Sequence, residues 1–551
     1  MRRLACLLVP ALLSVAKIAS ADTELVLDGS APEGGLDHFF VPFEVPAGVA
    51  EIEVQHLGTV AGNVLDFGLN DPSGFRGWGG GNKEPAIVGV AAASRSYLAG
   101  PLTPGTWSVV VGKATIAKTP AAYTLKVILR DAPTLPPEAR APYVPAAALH
   151  PEARFYAGDF HTHSRDSGDA RPSLDELATF ARAQGLDFAE VSDHNTIAQL
   201  DFFTEVQARH PDLLLLPGIE YTTYNGHGNA IGATQWFDHK IGQPGVTIQG
   251  VVDQIRGSGA LFSVNHPALD IGSLCIGCGW KHEVDPDKID AIEVSTGKSD
   301  SVFGDATIAF WEALLDKGSH AAAIGGSDDH KASETQDTFG SPIGEPTTMV
   351  FSEGLSAAAL LAGVRSGRTV VRLTGKSAAM VELRSSVPLP AGSSRLETQA
   401  TTLTAHVTGG TDRALRFVLD GKPTSTDPIE ITTDPFDATL VVNAVAGKEL
   451  RVRAEVIKGI RRETVTSHVF LRAPATGAGA GGSAAGGSSA AAAGTGGSAS
   501  APTPAPATDE GCGCVVVGRR GMEWSVGIAL AAFGLGLARR HARRQRLDRA
   551  S

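Results

Sequence analysis

The sequence predicts an α/β protein in which an α/β barrel domain lies between two β-sandwich domains. Short apolar runs separated by turn residues fill residues 22–131 and again residues 376–473. Between them, from residue 155 to 375, short apolar strands alternate with amphipathic helices, a pattern typical of a parallel α/β domain. Several of these strands end in a polar residue that could bind a metal. A barrel would gather such strand ends around a single mouth.

Composition limits the partners that the chain can have. Its 551 residues suggest three or four folding units, and 47 Lys and Arg against 59 Asp and Glu give a net charge of −12. Because such a surface repels a phosphate-rich polymer, we expect no nucleic-acid partner. Four of the five cysteines form two close pairs, Cys275 with Cys278 and Cys512 with Cys514, which would close only tiny loops. Stability must therefore come from hydrophobic cores.

Residues 1–21 have the features of a secretory signal peptide. Arg2 and Arg3 precede an apolar run from Leu4 to Val15, and Ala-Ser-Ala at residues 19–21 matches the small-residue pattern before a cleavage site. We therefore expect the chain to be exported.

The first sandwich is predicted over residues 22–131. Its segment "LAGPLTPGTWSVVVG" resembles the closing strands of prepeptidase C-terminal type jelly rolls, which occur on secreted bacterial hydrolases. Residues 132–154 are rich in proline and predict a stiff linker to the α/β domain.

Helices of the α/β domain are indicated by their caps and periodicity. Ser173 and Glu176 form a capping box in front of "LDELATFARAQG", and Gly185 lies where that helix would end. The other predicted helices are Ile248 to Arg256, Ala306 to Lys317 and Ser356 to Ser366.

Candidate metal ligands follow the predicted strands of this domain. His161 and His163 are two residues apart, so on an extended segment they face the same way. The convergence of these strand ends on ligand chemistry predicts a metal site at the mouth of a barrel. The remaining candidates at strand ends are His194, Glu220, His266, Asp328 and His330.

The motifs "DFHTHS", "VSDHNT", "PGIE", "GHGNAIG", "VNHP" and "GGSDDH" occur in this order between residues 155 and 375. As an ordered set they resemble the motifs of the PHP (polymerase and histidinol phosphatase) superfamily of metal-dependent hydrolases, particularly its exported carbaryl-hydrolase-like branch. The resemblance implies a distorted (β/α)7 barrel that holds two or three divalent ions through nine ligands. Carried over by position, these are His161, His163, Asp169, His194, Glu220, His227, His266, Asp328 and His330.

One of these assignments has an alternative, because the segment "SRDSGDA" is irregular and Asp166 could replace Asp169 as the ligand. A ligand set of imidazoles and carboxylates without thiolate suits Zn²⁺, Mn²⁺ or Fe. The implied chemistry is hydrolysis by a metal hydroxide with no protein nucleophile. Arg165 and Lys331 adjoin ligands and could bind an anionic substrate, although surface solvation explains them equally well.

These features predict a phosphoesterase that acts on a small, anionic ester. Phosphate esters are the commonest substrates of the superfamily that the motifs resemble, but its exported branch also includes enzymes that cleave carbamates and other esters. A carbamate or carboxylic-ester hydrolase is therefore an alternative. A surface protein that binds a polymer through its sandwiches, with an inert barrel, is another.

Other polar residues of the domain have weaker signals. "CIGCGWKH" predicts a local disulfide between Cys275 and Cys278, since a zinc site built from them and His282 would lack a fourth ligand. Glu293 ends a strand near the mouth, where it could support a ligand or simply pack at the edge of the core. We expect surface or helix-end positions for the histidines outside the motifs, His210, His239 and His320.

The chain after the barrel is predicted to contain a sandwich, a linker and a sorting tail. Residues 376–473 indicate an immunoglobulin-type sandwich without ligands of its own. Residues 474–510 are almost all Ala, Gly, Ser, Thr and Pro and predict a disordered linker. Residues 511–551 contain a short apolar stretch followed by basic residues, and resemble the cysteine-containing C-terminal sorting tails of myxobacterial-type surface proteins.

That tail predicts membrane contact before processing near Cys512 or Cys514, and then a location on the outer surface or outside the cell. The apolar stretch from Trp524 to Ala538 has about 15 residues, short for a stable span. A retained weak anchor is the alternative.

Overall fold

The computed structural model describes residues 22–335 and 341–474. The predicted signal peptide, all but the first residue of the Ala/Gly/Ser linker, and the sorting tail with its hydrophobic helix lie outside the described residues. Within the described ranges, no helix is long and apolar enough to cross a membrane.

Residues 23–130 form two antiparallel sheets that face each other across a hydrophobic core. In the described chain each sheet has four strands, in the orders β1-β8-β3-β6 and β2-β7-β4-β5. Alternation of apolar and polar residues places Phe43, Val54 and Trp107 in the core between the sheets. The strands are β1 Thr23–Ala31, β2 His38–Val45, β3 Glu51–Thr59, β4 Val64–Asp71, β5 Gly74–Gly80, β6 Ala86–Gly89, β7 Gly105–Thr115 and β8 Ala121–Arg130. We call this region the N-terminal sandwich.

The proline-rich segment that follows contacts both of its neighbours. Thr134 donates through its hydroxyl to Glu51 of the N-terminal sandwich at 2.6 Å. Arg140 pairs with Asp201 of the α/β domain at 2.7 Å. The segment is therefore held against both domains by polar contacts.

Each predicted helix of the α/β domain is present and one is added, although the helix predicted from Ala306 begins at Asp300. The capping box of Ser173 and Glu176 is present, which confirms the predicted helix start. The added helix, at residues 200–209, lacks a side-chain cap at its N-terminus, so no start signal marked it in the sequence. The helices are α1 Leu174–Ala183, α2 Leu200–Arg209, α3 Ile248–Gly257, α4 Asp300–Asp316 and α5 Ala357–Arg365.

Strands of this domain belong to two sheets. One contains the order β11-β10-β9-β17-β18 and the other the order β12-β13-β14-β15-β16. The strands are β9 Arg154–Asp159, β10 Phe188–Val191, β11 Leu214–Pro217, β12 Glu220–Thr223, β13 Gly226–Ile231, β14 Leu261–Val264, β15 Ala291–Thr296, β16 Ala322–Gly326, β17 Thr347–Ser352 and β18 Thr369–Arg372.

The strand pairing shows a mixed α/β domain and does not show the predicted (β/α)7 barrel. β9, β10 and β11 pair in parallel, as do β14, β15 and β16. However, β12 and β13 pair antiparallel, and so do β17 and β18. Only two residues connect β12 to β13, whereas a parallel crossover needs a dozen or more. The length of this connection therefore excludes a purely parallel sheet.

Two isolated parallel bridges bring the sheets together at the candidate site. Thr162 pairs with Asp329, and His194 pairs with Glu220. Each bridge joins segments that carry candidate ligands.

Residues 380–472 form a second sandwich, which we call the C-terminal sandwich. One sheet is β19-β21-β25, and the other is continuous with the α/β domain because β27 pairs antiparallel with β18. Val381, Leu403 and Val456 lie in its core. The strands are β19 Met380–Ser385, β20 Arg395–Glu397, β21 Ala400–Thr408, β22 Ala414–Leu419, β23 Lys422–Pro423, β24 Ile429–Glu430, β25 Phe436–Asn443, β26 Glu449–Lys458, β27 Arg461–Thr466 and β28 Val469–Arg472.

Candidate metal centre

His161 and His163 follow β9 and are completely buried. The Asp159 carboxylate holds this strand end by accepting hydrogen bonds from the backbone N–H groups of His161 and Ser327, each at 3.0 Å. The Nε2 atoms of His161 and His163 lie 3.4 and 3.2 Å from Oδ1 of Asp328. The two histidines therefore face one carboxylate, as their two-residue spacing predicts.

Glu220 lies at the centre of the candidate ligands and is 1% exposed. Its two carboxylate oxygens are close to five imidazoles, so it can bridge two cations. Oε1 lies 3.4 Å from His161 Nε2, 3.3 Å from His227 Nδ1 and 3.2 Å from His266 Nε2, and Oε2 lies 2.8 Å from His194 Nδ1 and 3.6 Å from His163 Nε2.

Asp169, His194 and His330 form a more exposed part of the cluster, which we call the outer site. Oδ2 of Asp169 is 3.3 Å from Nε2 of both His194 and His330. The side chain of Asp169 is 54% exposed, whereas that of Glu220 is 1% exposed. The outer site therefore faces solvent, where a substrate could approach.

The structure separates the two aspartates that the sequence left as alternatives. Asp169 approaches two candidate ligand imidazoles. The Asp166 carboxylate instead has the backbone of Ser96, in the N-terminal sandwich, as a hydrogen-bond partner. Among the described residues no contact joins the Asp166 carboxylate to His194 or His330.

Hydrogen bonds to other groups orient the ligand imidazoles. Glu293 Oε1 lies 3.0 Å from His161 Nδ1, and its Oε2 accepts the backbone N–H of His266 at 2.8 Å. The hydroxyl of Thr222 is 2.6 Å from His194 Nδ1. Such partners set the ring orientation and tautomer of a metal-binding histidine. Glu293 therefore has the supporting position that was one of its two predicted roles.

Several residues that hold the candidate ligands in place were not predicted from the sequence. Asn265 donates to Glu220 Oε1 at 3.2 Å and to Asn229 at 2.8 Å. Asp193 accepts from the backbone and the hydroxyl of Ser164 at 2.7 and 2.6 Å, which ties the residue after His163 to the residue before His194. Their only signal in the sequence was a position beside a candidate ligand.

Backbone conformation at two ligands is unusual. His266 and Asp328 have φ angles of 27° and 56°, in a region that non-glycine residues seldom occupy. Strain of this kind collects at functional sites where surrounding contacts hold it in place. The bond from His266 N–H to Glu293 is one such contact.

The pKa shifts at the centre follow from carboxylates crowded by imidazoles. Burial would raise the pKa of Glu220, but His161 and His194 outweigh it and hold that pKa well below its usual range. Burial opposes charge on His161 too, yet Glu220 and Glu293 raise its pKa well above 6.5. The pKa of His163 is lowered to about 3, by burial and then by His330. The site therefore favours positive charge at its centre but not on every ring.

Unpaired buried atoms show that the site fits divalent cations. Among the described residues, His161 Nε2, Glu220 Oε2 and both ring nitrogens of His227 are buried without a hydrogen-bond partner. Buried polar atoms without partners are costly, and bound metal ions would give partners to His161 Nε2, Glu220 Oε2 and one ring nitrogen of His227. Groups spaced to share an ion are His161, His163 and Asp328; His161, Glu220 and His266; and His163, His194 and His330.

The cysteine loop contacts this centre through its backbone. Cys275 and Cys278 form a disulfide, which confirms that prediction. Cys278 is close to His227 and His266, but its sulfur is committed to the disulfide, and its carbonyl accepts from His266 Nδ1 at 3.1 Å. His282 hydrogen-bonds Thr223 at 2.7 Å.

The predicted substrate-binding residues have contacts of their own. The Arg165 guanidinium pairs with Glu138 of the linker at 3.1 Å and lies over the ring of Phe202, 5.5 Å from its centroid. The backbone N–H of Lys331 donates to Asp329 Oδ1 at 2.8 Å. These contacts do not bring the Arg165 side chain to a ligand.

The prediction for His239 was wrong. His239 is 3% exposed rather than at the surface, and it packs against Trp78, with ring centroids 4.5 Å apart. The cause is tertiary, because the N-terminal sandwich covers the segment that carries His239. His210 caps the end of α2, as expected of a helix-end histidine, and His320 bonds Glu449 at 2.8 Å.

No family model matches the chain, and no curated protein matches it. Among solved structures, a two-domain protein of Bacteroides vulgatus that contains a predicted PHP-like metal-dependent phosphoesterase shares 19% identity over 61% of this chain and 99% of its own, with a TM-score of 0.33. A candidate metal-dependent phosphoesterase of Bifidobacterium adolescentis shares 14% identity over 33% of this chain and 91% of its own, with a TM-score of 0.25. At these scores neither likeness carries an argument about this chain.

Proposed function

We propose that this chain is a PHP-type metal-dependent hydrolase, and specifically a phosphoesterase. The observation that carries the proposal is Glu220, a buried carboxylate within 3.6 Å of five imidazoles, one of which, His227, has no hydrogen-bond partner at either ring nitrogen. An inert domain would have no reason to bury so many titratable groups together, because their desolvation is costly unless a cation binds them.

Nine residues would hold the ions. The inner part of the site consists of His161, His163, Glu220, His227, His266 and Asp328, and the outer part consists of Asp169, His194 and His330. Two or three Zn²⁺, Mn²⁺ or Fe ions, when bound, would activate water and stabilise negative charge on the group being attacked.

The protein's own hydroxyl groups at the site are committed to ligands. Ser167 Oγ lies 3.2 Å from His163 Nδ1 and accepts the backbone N–H of His194 at 3.3 Å. Thr222 is bonded to His194. These hydroxyls orient imidazoles, and the chain's contribution is to hold and orient the site.

Charge favours an anionic substrate when the site is full. The ligand carboxylates Asp169, Glu220 and Asp328, with Glu293 beside them, carry four negative charges that two divalent ions balance. A third ion leaves an excess of positive charge, which attracts a phosphate ester more than a neutral ester. An excess of positive charge supports a phosphoesterase over a carbamate or carboxylic-ester hydrolase.

The metal assignment is tested by metal analysis of the purified full chain and of the double variant His161→Ala with Asp328→Ala. Wild type should hold two or more ions per chain and the variant should lose them. His406→Ala with Asp437→Ala is the matched control, because this exposed pair, joined at 2.7 Å, lies in the C-terminal sandwich. Equal metal content in wild type and the site variant would refute the assignment.

The substrate class is tested with a panel of p-nitrophenyl phosphate, bis-p-nitrophenyl phosphate, p-nitrophenyl acetate and an aryl methylcarbamate. We expect the phosphate esters to be cleaved fastest and the activity to be lost on chelation. Turnover of only the acetate or the carbamate would replace the phosphoesterase by the alternative hydrolase. Wild type that holds no metal as purified and cleaves none of these esters, even after metal is added, would favour the polymer-binding alternative.

We also propose that the chain is exported and that its tail is processed near Cys512 or Cys514, leaving the folded part on the outer surface or outside the cell. The support is the sequence of residues 1–21 and 511–551 alone. Mass spectrometry of the native protein tests it. A C-terminus ending at Ser551 would contradict processing of the tail.

A further inference from the structure

The loop that carries Asp169 is held on both sides by the N-terminal sandwich. We call residues 164–171 the ligand loop. The Ser96 hydroxyl donates to the carbonyl of Asp166 at 2.7 Å, and the Arg95 guanidinium donates to the carbonyl of Ala170 at 3.0 Å. Two consecutive residues of the sandwich therefore hydrogen-bond the ligand loop, one before and one after Asp169.

Ser96 also contacts the segment that carries His194. Its carbonyl accepts a hydrogen bond from the hydroxyl of Thr196 at 3.2 Å, two residues after His194, and another from the backbone N–H of Trp78 at 3.2 Å. Ser96 is thus bonded to both segments that bring His194 and Asp169 within 3.3 Å of each other.

The conformation of Ser96 is one that serine seldom adopts. Its φ angle is 72° and its side chain is completely buried. A buried non-glycine residue in this conformation is strained and persists only where its surroundings hold it. The bonds to Asp166, Thr196 and Trp78 are those surroundings.

Close packing shows that the ligand loop and the sandwich fit each other. Gly168 has a φ angle of 93°, and a Cβ placed there would lie 3.1 Å from the carbonyl oxygen of Gly79 and 3.2 Å from Ser96 Oγ. Only glycine suits this conformation and this approach. The residue before Asp169 is therefore packed directly against the sandwich.

We propose that Ser96 is a positioning residue for the outer metal site, so that docking of the N-terminal sandwich determines whether a third ion binds at Asp169, His194 and His330. The inference rests on the proposed function and adds that a contact between two domains governs the binding of the third ion. Within residues 22–335 and 341–474, no inner ligand is hydrogen-bonded to Ser96, so the inner ligands bind their ions without it. Because the third ion supplies the excess positive charge, Ser96 also affects the preference for phosphate esters.

The test is titration of the metal-free full chain with Mn²⁺, followed by calorimetry and by electron paramagnetic resonance, for wild type and Ser96→Gly. Glycine tolerates the backbone conformation of residue 96 but lacks the hydroxyl that bonds Asp166. We expect unchanged binding of two ions and about tenfold weaker binding of the third, as for other residues that support metal ligands.

Ser94→Gly is the matched control. It removes a hydroxyl from the same sandwich two residues away, where Ser94 Oγ accepts the backbone N–H of Ile87 at 2.9 Å. A merely structural role of Ser96 would lower thermal stability in both variants and leave the third ion unaffected in both.

Thr196→Val is a second variant, which acts from the α/β domain and keeps the proposal testable if Ser96→Gly fails to fold. It should weaken the third ion as well. Third-ion binding at wild-type strength in both folded variants would overturn the inference. Wild type that binds two ions and no third would overturn the inference and leave the proposed function standing. Wild type that binds no ion would overturn both.

Discussion

The two sandwiches have a similar architecture but join the α/β domain differently. The C-terminal sandwich continues one of its sheets, with Val371 of β18 paired to Val465 of β27. It is also tied to α4 by ion pairs from Arg451 and Arg453 to Glu312. Backbone pairing and charged contacts thus make this sandwich an extension of the α/β domain.

Side chains and loops join the N-terminal sandwich to the same domain. Among the described residues, no strand of this sandwich pairs with a strand of the α/β domain. Instead, Phe75 stacks on Trp236 with centroids 4.3 Å apart, and the Tyr224 hydroxyl donates to Asp66 at 2.8 Å. These contacts adjoin the segments that carry His194 and His227, since Trp236 also donates to the carbonyl of Asn195 at 3.1 Å.

The difference shows that the two sandwiches contribute differently to the α/β domain: one extends a sheet, and the other helps to form the candidate metal site. A sandwich that extends a sheet adds buried backbone hydrogen bonds and so adds stability. A sandwich that docks through side chains can position individual ligands. We therefore expect mutations at the C-terminal junction to change stability alone and mutations at the N-terminal junction to change the metal site as well.

The largest effect is expected from Glu220→Gln, which should remove more bound metal and more activity than any change at a junction. An amide lacks the negative charge that five imidazoles share, so bound metal should fall below one ion per chain and hydrolysis should be lost. Metal analysis and activity assays measure this. Glu382→Gln is the control, since Glu382 pairs with Arg384 at the surface. Retention of all ions in Glu220→Gln would contradict a bridging role.

Glu312→Ala should show the structural role of the C-terminal junction. It removes the carboxylate that Arg451 and Arg453 share, while Asp316 and Glu455 still pair with them, and each lost charged contact costs about 1.5–3 kcal/mol. Denaturant unfolding should show this loss while metal content per folded chain stays unchanged. Glu382→Ala, which removes an exposed partner, should cost at most about 1 kcal/mol. A fall in metal content in Glu312→Ala would contradict the expectation that the C-terminal junction affects stability alone.

Acid should weaken the N-terminal junction through His38. Burial, and then Lys240, lowers the pKa of His38 from 6.5 to about 4, with Asp238 opposing and Lys113 adding a small lowering effect. Because the unfolded state binds this proton more readily, stability is full above pH 6.5 and is lost as pH falls toward 4. The loss is roughly 3 kcal/mol for this group.

The measurement is unfolding free energy against pH for wild type and His38→Phe. Phenylalanine keeps the ring that stacks on Tyr224 but has no proton to bind. The difference between the two curves should grow between pH 6.5 and 4. Parallel curves over that range would show that His38 does not sense acid.

Tyr224→Phe should have the smallest effect. It removes the hydrogen bond to Asp66, whose pKa burial raises to about 6, and costs about 1 kcal/mol. If the N-terminal junction positions the outer site, the affinity for a third Mn²⁺ ion should also fall in Tyr224→Phe. Tyr123→Phe is the control, because Tyr123 lies within the N-terminal sandwich, where its ring packs on Phe39. Equal losses in both variants would mean that the Asp66 bond has no special role.

The sequence alone determined features that depend on short segments. The capping box at Ser173 and Glu176 and the disulfide between Cys275 and Cys278 were predicted and are present. Seven of the nine candidate ligands were identified because imidazole and carboxylate chemistry recurs at the ends of apolar runs, and Asp169 and His227 were carried over from the motif resemblance. Such features are local, since the residues involved are neighbours in the chain or follow a strand directly.

Only the tertiary structure decided what depends on residues far apart in the chain. The bond that places Ser96 on Asp166 spans 70 positions, and the position of Asp169 between His194 and His330 depends on three separate segments. The burial of His239 requires the N-terminal sandwich to cover it. Nothing in the local pattern encodes these contacts, because they arise when packing of the hydrophobic cores brings distant surfaces together and leaves polar groups to find partners across the junction.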